Sequence, residues 1–211
     1  MNRQVCIVTI MARPPRSETN PPVGTARERL LAAANELFYE EGIHTVGIDR
    51  VIERAGVAKA SLYSTFGSKD ELVQAYLTER AELRRQRIAE RVTKETEPRA
   101  KLLAIFDELC VLVERPRFRG CAFINASAEG PRESSVTRVC SFQRTWLRDL
   151  MIGLARELGA AEPTPLAHQL CLIYDGALVA ASMDHDTRAA ARARETAEIL
   201  IDASLRKKAR K

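Results

Sequence analysis

Residues 47–73, GIDRVIERAGVAKASLYSTFGSKDELV, decide how the rest of this chain is read. Apolar side chains fall at Val51 and Ala55 and, beyond a glycine, at Val57, Leu62 and Phe66. That spacing predicts two short helices, over about 48–55 and 58–66, joined by a tight turn at Gly56-Val57 and sharing one inner face. At about 100° per residue, Ala60 and Ser64 point directly away from Leu62, flanked by Lys59, Ser61 and Tyr63. The outer face is therefore short, small and polar, with a cation and a phenol at its edges. A helix that enters a major groove about 12 Å wide needs such a face. Lys59 and Tyr63 then reach base edges or phosphates.

Upstream, Leu30, Leu31, Ala34, Leu37 and Phe38 share one helical face, so a first helix runs from near Thr25 to a closing Gly42. Downstream, Ser68 is a good N-cap, with Asp70 and Glu71 in the first turn of a helix that reaches about Thr93. That helix carries Leu72, Tyr76, Leu83 and Ile88. Lys69 at its start places a cation beside orphan helix amides, a natural seat for a phosphate.

The whole run closely resembles the TetR/AcrR family of bacterial repressors. Ala55-Gly56-Val57, Leu62-Tyr63, Phe66, Ser68-Lys69 and Glu71-Leu72 stand where that family has them, and the likeness spans about residues 25–73. The resemblance implies a homodimer whose recognition helices enter successive major grooves of a double-stranded operator with an inverted repeat. Its DNA contacts would be Gly47, Lys59, Ala60, Ser61, Tyr63, Ser64, Thr65 and Lys69. Two positions depart from the pattern. Gly47 stands where the family often has Ser or Thr, which removes a hydroxyl–phosphate contact, and Ile52 stands where a small residue is common.

Composition bounds the rest. The chain has 211 residues, 45% hydrophobic and 29% charged, with 5% aromatic. That is a soluble, helical vocabulary without long β-branched alternations. The net charge of +5 is poor support for DNA binding, because Arg206, Lys207, Lys208, Arg210 and Lys211 account for it. Residues 24–91 hold 11 basic and 11 acidic side chains. The functional reading rests on the motif.

Five cysteines without CxxC spacing (Cys6, Cys110, Cys121, Cys140, Cys171) predict reduced thiols in the cytoplasm. No paired acid/base set, Gly-rich phosphate loop or metal-ligand spacing appears, so neither an enzyme, a cofactor nor a metal is expected. No apolar run of the length a membrane span needs is read here, and the apolar residues 5–11 are too short. Met11 is a plausible alternative start.

After Pro98 the periodicity predicts five more helices, over about 99–114, 121–129, 134–158, 165–183 and 187–207. The expected architecture is all-α. A proline-rich arm (1–23) precedes a three-helix head (24–70), a larger helical effector-binding and dimerisation domain (71–207) and a basic tail (208–211). Segment 119–129 looks like one that recurs in a TetR subgroup. Asn125 within it either caps a neighbour or touches a ligand. Phe123, Asn125, Phe142, Trp146 and Tyr174 are the expected lining of an effector pocket. His168 reads as core or surface, and Asp184-His185-Asp186 as a solvated loop. Small-residue faces at Leu172, Ala177, Ala180 and Ala181, then at Ala193, Ala197, Leu200 and Ile201, suit a four-helix dimer bundle. The expected function is a repressor released from DNA by a small apolar or amphipathic effector, with a thiol-based redox repressor of the same fold as the alternative.

Overall fold

The computed structural model describes residues 24–130 and 133–209. The expected arm with Cys6 and Met11, and tail residues 210–211, lie outside the described residues. Nine α-helices and no strand are found among those described: α1 Ala26–Glu41, α2 Ile48–Ala55, α3 Lys59–Phe66, α4 Lys69–Val92, α5 Pro98–Val113, α6 Ala122–Glu129, α7 Ser135–Glu157, α8 Pro163–Met183 and α9 Ala189–Ala209.

Local chemistry sets the ends. Thr25 and Glu28 form a reciprocal capping box: the Thr25 hydroxyl accepts the Glu28 N–H at 3.2 Å, and the Glu28 carboxylate accepts the Thr25 N–H at 2.8 Å. Ser68 caps α4 by accepting the Glu71 N–H. Gly56 ends α2 in the left-handed region at φ 63°, where a side chain would be strained and glycine is not. α8 begins two residues before the expected 165. Pro163 can open the first turn because its missing N–H would have had no helical partner there.

In the head, α1 lies across α2 and α3, and Leu30, Ala34, Val46, Val51 and Leu62 are fully buried. The body is organised around α5, which is buried nearly all round and packs on α4, α7, α8 and α9. Arg99 clamps α5 to α9 through Glu198 (2.6 Å) and Asp202 (2.8 Å).

Two expectations about faces change here. Ala177 and Ala181 of α8, with Ala193, Ala197 and Ile201 of α9, are buried within the protomer, where α8 packs against α9. Leu172 of the expected face does point outward, and Gly176, Val179 and Met183 continue that stripe. Length and composition alone would let α8 cross a membrane. Its inner face, however, forms core contacts with α7 and α9, and Asp175 pairs with Arg144 at 2.6 Å. Asp186 of the expected loop cluster accepts the Arg188 N–H at 3.0 Å and pairs with Arg192.

Candidate functional site

The α2–α3 pair presents the outward face that periodicity called for. Leu62 and Phe66 are buried, Lys59, Ala60, Tyr63, Ser64 and Thr65 are exposed, and Ser61 is half-buried. Arg29 of α1 donates to the Gly56 carbonyl at 3.2 Å and so pins the turn to the head core. The Thr65 and Ser64 hydroxyls donate to the Ser61 carbonyl at 2.6 and 3.1 Å, which keeps them close to the helix. Gly47 is the N-cap of α2 and has open space around the position of a Cβ.

The cations on this face are engaged. Lys59 pairs with Asp49 at 2.9 Å across the starts of α2 and α3, and that hydrogen bond raises the ammonium's pKa. Lys69 donates to the Ile43 carbonyl at 2.6 Å and lies over the Phe38 ring, so it ties α4 back to the α1–α2 loop. An ammonium has three donors, and this bond uses one.

A cavity of about 520 Å³ lies where head meets body. Its walls come from Asn35 and Tyr39 of α1, Leu83, Arg84 and Arg87 of α4, Leu112 of α5, the 115–121 loop, Phe123 of α6 and Tyr174 of α8. A smaller chamber of about 130 Å³ shares Arg84, Cys121 and Phe123 with it and reaches Gln143 and Leu147 of α7. Of the expected pocket residues, the structure brings Phe123 and Tyr174 together here and leaves out the other three. Asn125 is exposed and donates to the Arg119 carbonyl at 3.1 Å, so it ties a neighbouring loop. Phe142 is 64% exposed and Trp146 half-buried, both beneath the Arg85 guanidinium. The buried stripe of α7 runs through Cys140, Gln143, Leu147, Met151 and Leu154, which turns Phe142 and Trp146 to its flank.

Arg84 is the residue that periodicity missed. The buried stripe of α4 includes Leu77, Ala81, Ile88 and Val92, and Arg84 stands in that register, whereas Leu83 is 41% exposed. A charged residue at a stripe position was the available signal. Arg84 donates to the Tyr174 hydroxyl at 2.7 Å and to Cys121 Sγ at 3.5 Å. Burial raises the Tyr174 pKa, opposed by Arg84, so the phenol stays neutral.

Head and body are also joined by a clasp beside the cavity. Tyr39 Oη donates to the Gly120 carbonyl at 3.0 Å and accepts the Arg119 N–H at 2.9 Å. Glu40 pairs with Arg117 at 2.7 Å, and the His44 N–H donates to Glu129 at 2.8 Å. α4 is thus the continuous rod between the two regions but not their sole connection.

Comparison with known proteins agrees with this arrangement. The family described as bacterial regulatory proteins, tetR family, matches residues 30–76. The HTH-type transcriptional regulator LmrA of Bacillus subtilis is 36% identical over 87 residues, 41% of this chain and 46% of that protein. The HTH-type transcriptional activator FasR of Mycolicibacterium smegmatis is 46% identical over 56 residues, 26% of each. These alignments span less than half of the curated relatives' length. Structural likeness extends further. A TetR-family transcriptional regulator from Streptomyces coelicolor superposes with a TM-score of 0.78 at 32% identity, covering 86% of this chain and 95% of that one. A putative regulator from Streptomyces avermitilis gives 0.73 at 32% identity, covering 86% and 98%. The helix-turn-helix head, the larger helical body and these relatives place the chain in one group: it belongs to the TetR family of DNA-binding transcriptional regulators.

Proposed function

We propose that the protein is a ligand-responsive repressor that acts in the cytoplasm as a homodimer and leaves its operator when a small apolar or amphipathic molecule enters the cavity between head and body. Residues 24–70 form the DNA-reading unit and 71–207 the effector and dimer unit. The outward residues of α3, with Gly47 and Lys69, are the proposed DNA contacts. The observation that carries this reading is the shared cavity wall, to which α1 of the head and α4, α5, α6 and α8 of the body all contribute.

A molecule lodged there presses on Tyr39 and the 115–121 loop, beside the clasp, and on α4, whose first residue is Lys69. Tilting α4 moves the head as a unit and changes the separation of the two recognition helices in the dimer. Both must fit grooves about 34 Å apart at once, so a small displacement weakens both half-sites. A preference of about 1–3 kcal/mol for the released state gives a 5–150-fold response. The outward apolar stripe Leu172, Val179 and Met183 of α8, with Ile199 of α9, supports a dimer formed on this face. The thiol-based alternative has less support, because burial pushes the Cys140 and Cys171 thiols up to about 11 and also raises Cys110. Such thiols hold little reactive thiolate at neutral pH.

Selection of bound fragments from random DNA tests the first half, and an inverted repeat is the expected winner. Small molecules that release that fragment then test the second. Reciprocity requires operator DNA to weaken each such molecule's affinity by the same factor. Equal affinity with and without operator would exclude the coupling.

A further inference from the structure

Building on the ligand-responsive reading, we propose that the effector is an organic anion, an amphipathic carboxylate whose acidic end is held by Arg84 and Gln143 and whose apolar body fills the larger cavity.

Two buried donors lack acceptors among the described residues. Arg84 Nε is buried and has no hydrogen-bond partner among the described residues, and the partners of its other nitrogens, Tyr174 and Cys121, are a phenol and a thiol. Among the described residues no carboxylate forms an ion pair with it, and Asp175, which lines the same chamber, is paired with Arg144 at 2.6 Å. A guanidinium stays charged in a protein, and an enclosed charge without a counterion is costly. Gln143 is 3% exposed, and its Oε1 accepts from Arg85 Nε at 2.8 Å. Because Arg85 can only donate, that bond fixes the orientation of the amide. Gln143 Nε2 is left buried and unpartnered.

Both residues line the smaller chamber, which shares Arg84, Cys121 and Phe123 as wall with the larger cavity. Two orphan donors, one of them on a guanidinium that faces the Phe123 and Tyr174 rings but bonds no carboxylate, call for acceptor oxygens that carry negative charge.

The larger cavity has the same sign. Five arginines and three glutamates line it, and each glutamate is already bonded: Glu36 to Arg54, Glu40 to Arg117, and Glu108 to Arg91 and Arg115. Arg87 forms no ion pair among the described residues, and its pKa is lowered, first by burial and then by the like charge of Arg115. Leu83, Leu112, Phe118 and Phe123 supply apolar wall, which suits an organic body better than a hydrated inorganic ion. The volume of about 520 Å³ falls within the usual range for small-molecule sites.

Calorimetry and melting of the full-length protein with matched probes test this: 2-naphthoate and decanoate, their neutral amides, and inorganic phosphate. The carboxylates are expected to bind at least about ten-fold more tightly than the amides, a difference of about 1.4 kcal/mol, and phosphate to bind more weakly than either carboxylate. Arg84→Met and Gln143→Leu should each reduce that preference while the amides still bind. Arg84→Met also leaves the buried Tyr174 hydroxyl without its donor, so its ligand-free melt should fall, and Gln143→Leu is the variant that reads the preference without that loss. The inference is overturned by equal affinity for acid and amide, by a preference that survives in both variants, or by carboxylates that fail to bind at millimolar concentration. Operator titration separates it from the reading it rests on. Carboxylates that bind with the expected preference yet leave operator affinity unchanged sink effector control and leave the anion site standing. Amides that bind as well as acids and release the operator do the reverse.

Discussion

The head and the body hold their positive charges in opposite ways. On the head, which meets a polyanion, the cations are tied: Lys59 to Asp49, Arg54 to Glu36, Arg50 to Glu41 and Lys69 to a backbone carbonyl. In the cavity, Arg84 and Arg87 form no ion pair among the described residues. Exposed ion pairs are weak and exchange readily for phosphate, so a paired surface cation loses little as a DNA contact. A half-buried guanidinium whose Nε is shut off from water is less easily satisfied, so a missing partner at Arg84 points to a ligand. The partner of a charge, rather than its position, tells its use.

The largest effect expected separates the two regions altogether. Leu172→Glu with Met183→Glu places like charges on the outward stripe of α8 and should give a monomer by light scattering at micromolar concentration. Operator affinity should then fall by about 100-fold or more, because each head binds its half-site alone. A dimer that persists would move the interface off α8.

Lys69→Ala comes next. If Lys69 reaches a phosphate, the salt dependence of binding should flatten by about 0.9 in slope for every DNA sequence alike. Loss of its bond to Ile43 should also cost about 1 kcal/mol of stability, read in a thermal melt. A lowered melt with an unchanged salt slope would leave Lys69 a brace of the head alone.

Asp49→Asn sharpens the comparison from the other side. It frees Lys59 and removes a negative charge facing the DNA, so affinity should rise a few-fold and the salt dependence should steepen by up to about 0.9 in slope. The melting temperature should hardly move, since both partners are solvent-exposed. Unaltered affinity would place Lys59 away from the phosphates. The smallest effect belongs to Gly47→Ser. The backbone at φ −76° suits any residue and the Cβ meets nothing, so a hydroxyl can cap α2 and reach a phosphate. A gain of a few tenths of a kcal/mol in stability is expected, with a slight rise in DNA affinity measured by titration.

Legibility followed the same division. In the head, Val51, Ala55, Leu62 and Phe66 turned inward as their spacing required, and Gly56 and Ser68 ended and began helices as their chemistry required. Helix boundaries in the body also fell within about two residues of expectation. The pocket did not follow. Asn125, Phe142 and Trp146 lie outside the cavity, while Arg84 and Gln143 stand at stripe positions of α4 and α7 where residue type alone does not show that a polar side chain turns inward.

Sequence by itself therefore determined the helices, the head and the family. Those depend on capping, periodicity and contacts between near neighbours, all of which are written locally in the chain. Only the tertiary structure decided which flank of α7 faces inward, which face of α8 lies open and what surrounds Arg84. A helix's own pattern defines a stripe but not the element that covers it. Arg84 and Tyr174 are 90 residues apart in the chain and meet only because α4 and α8 converge in the folded body.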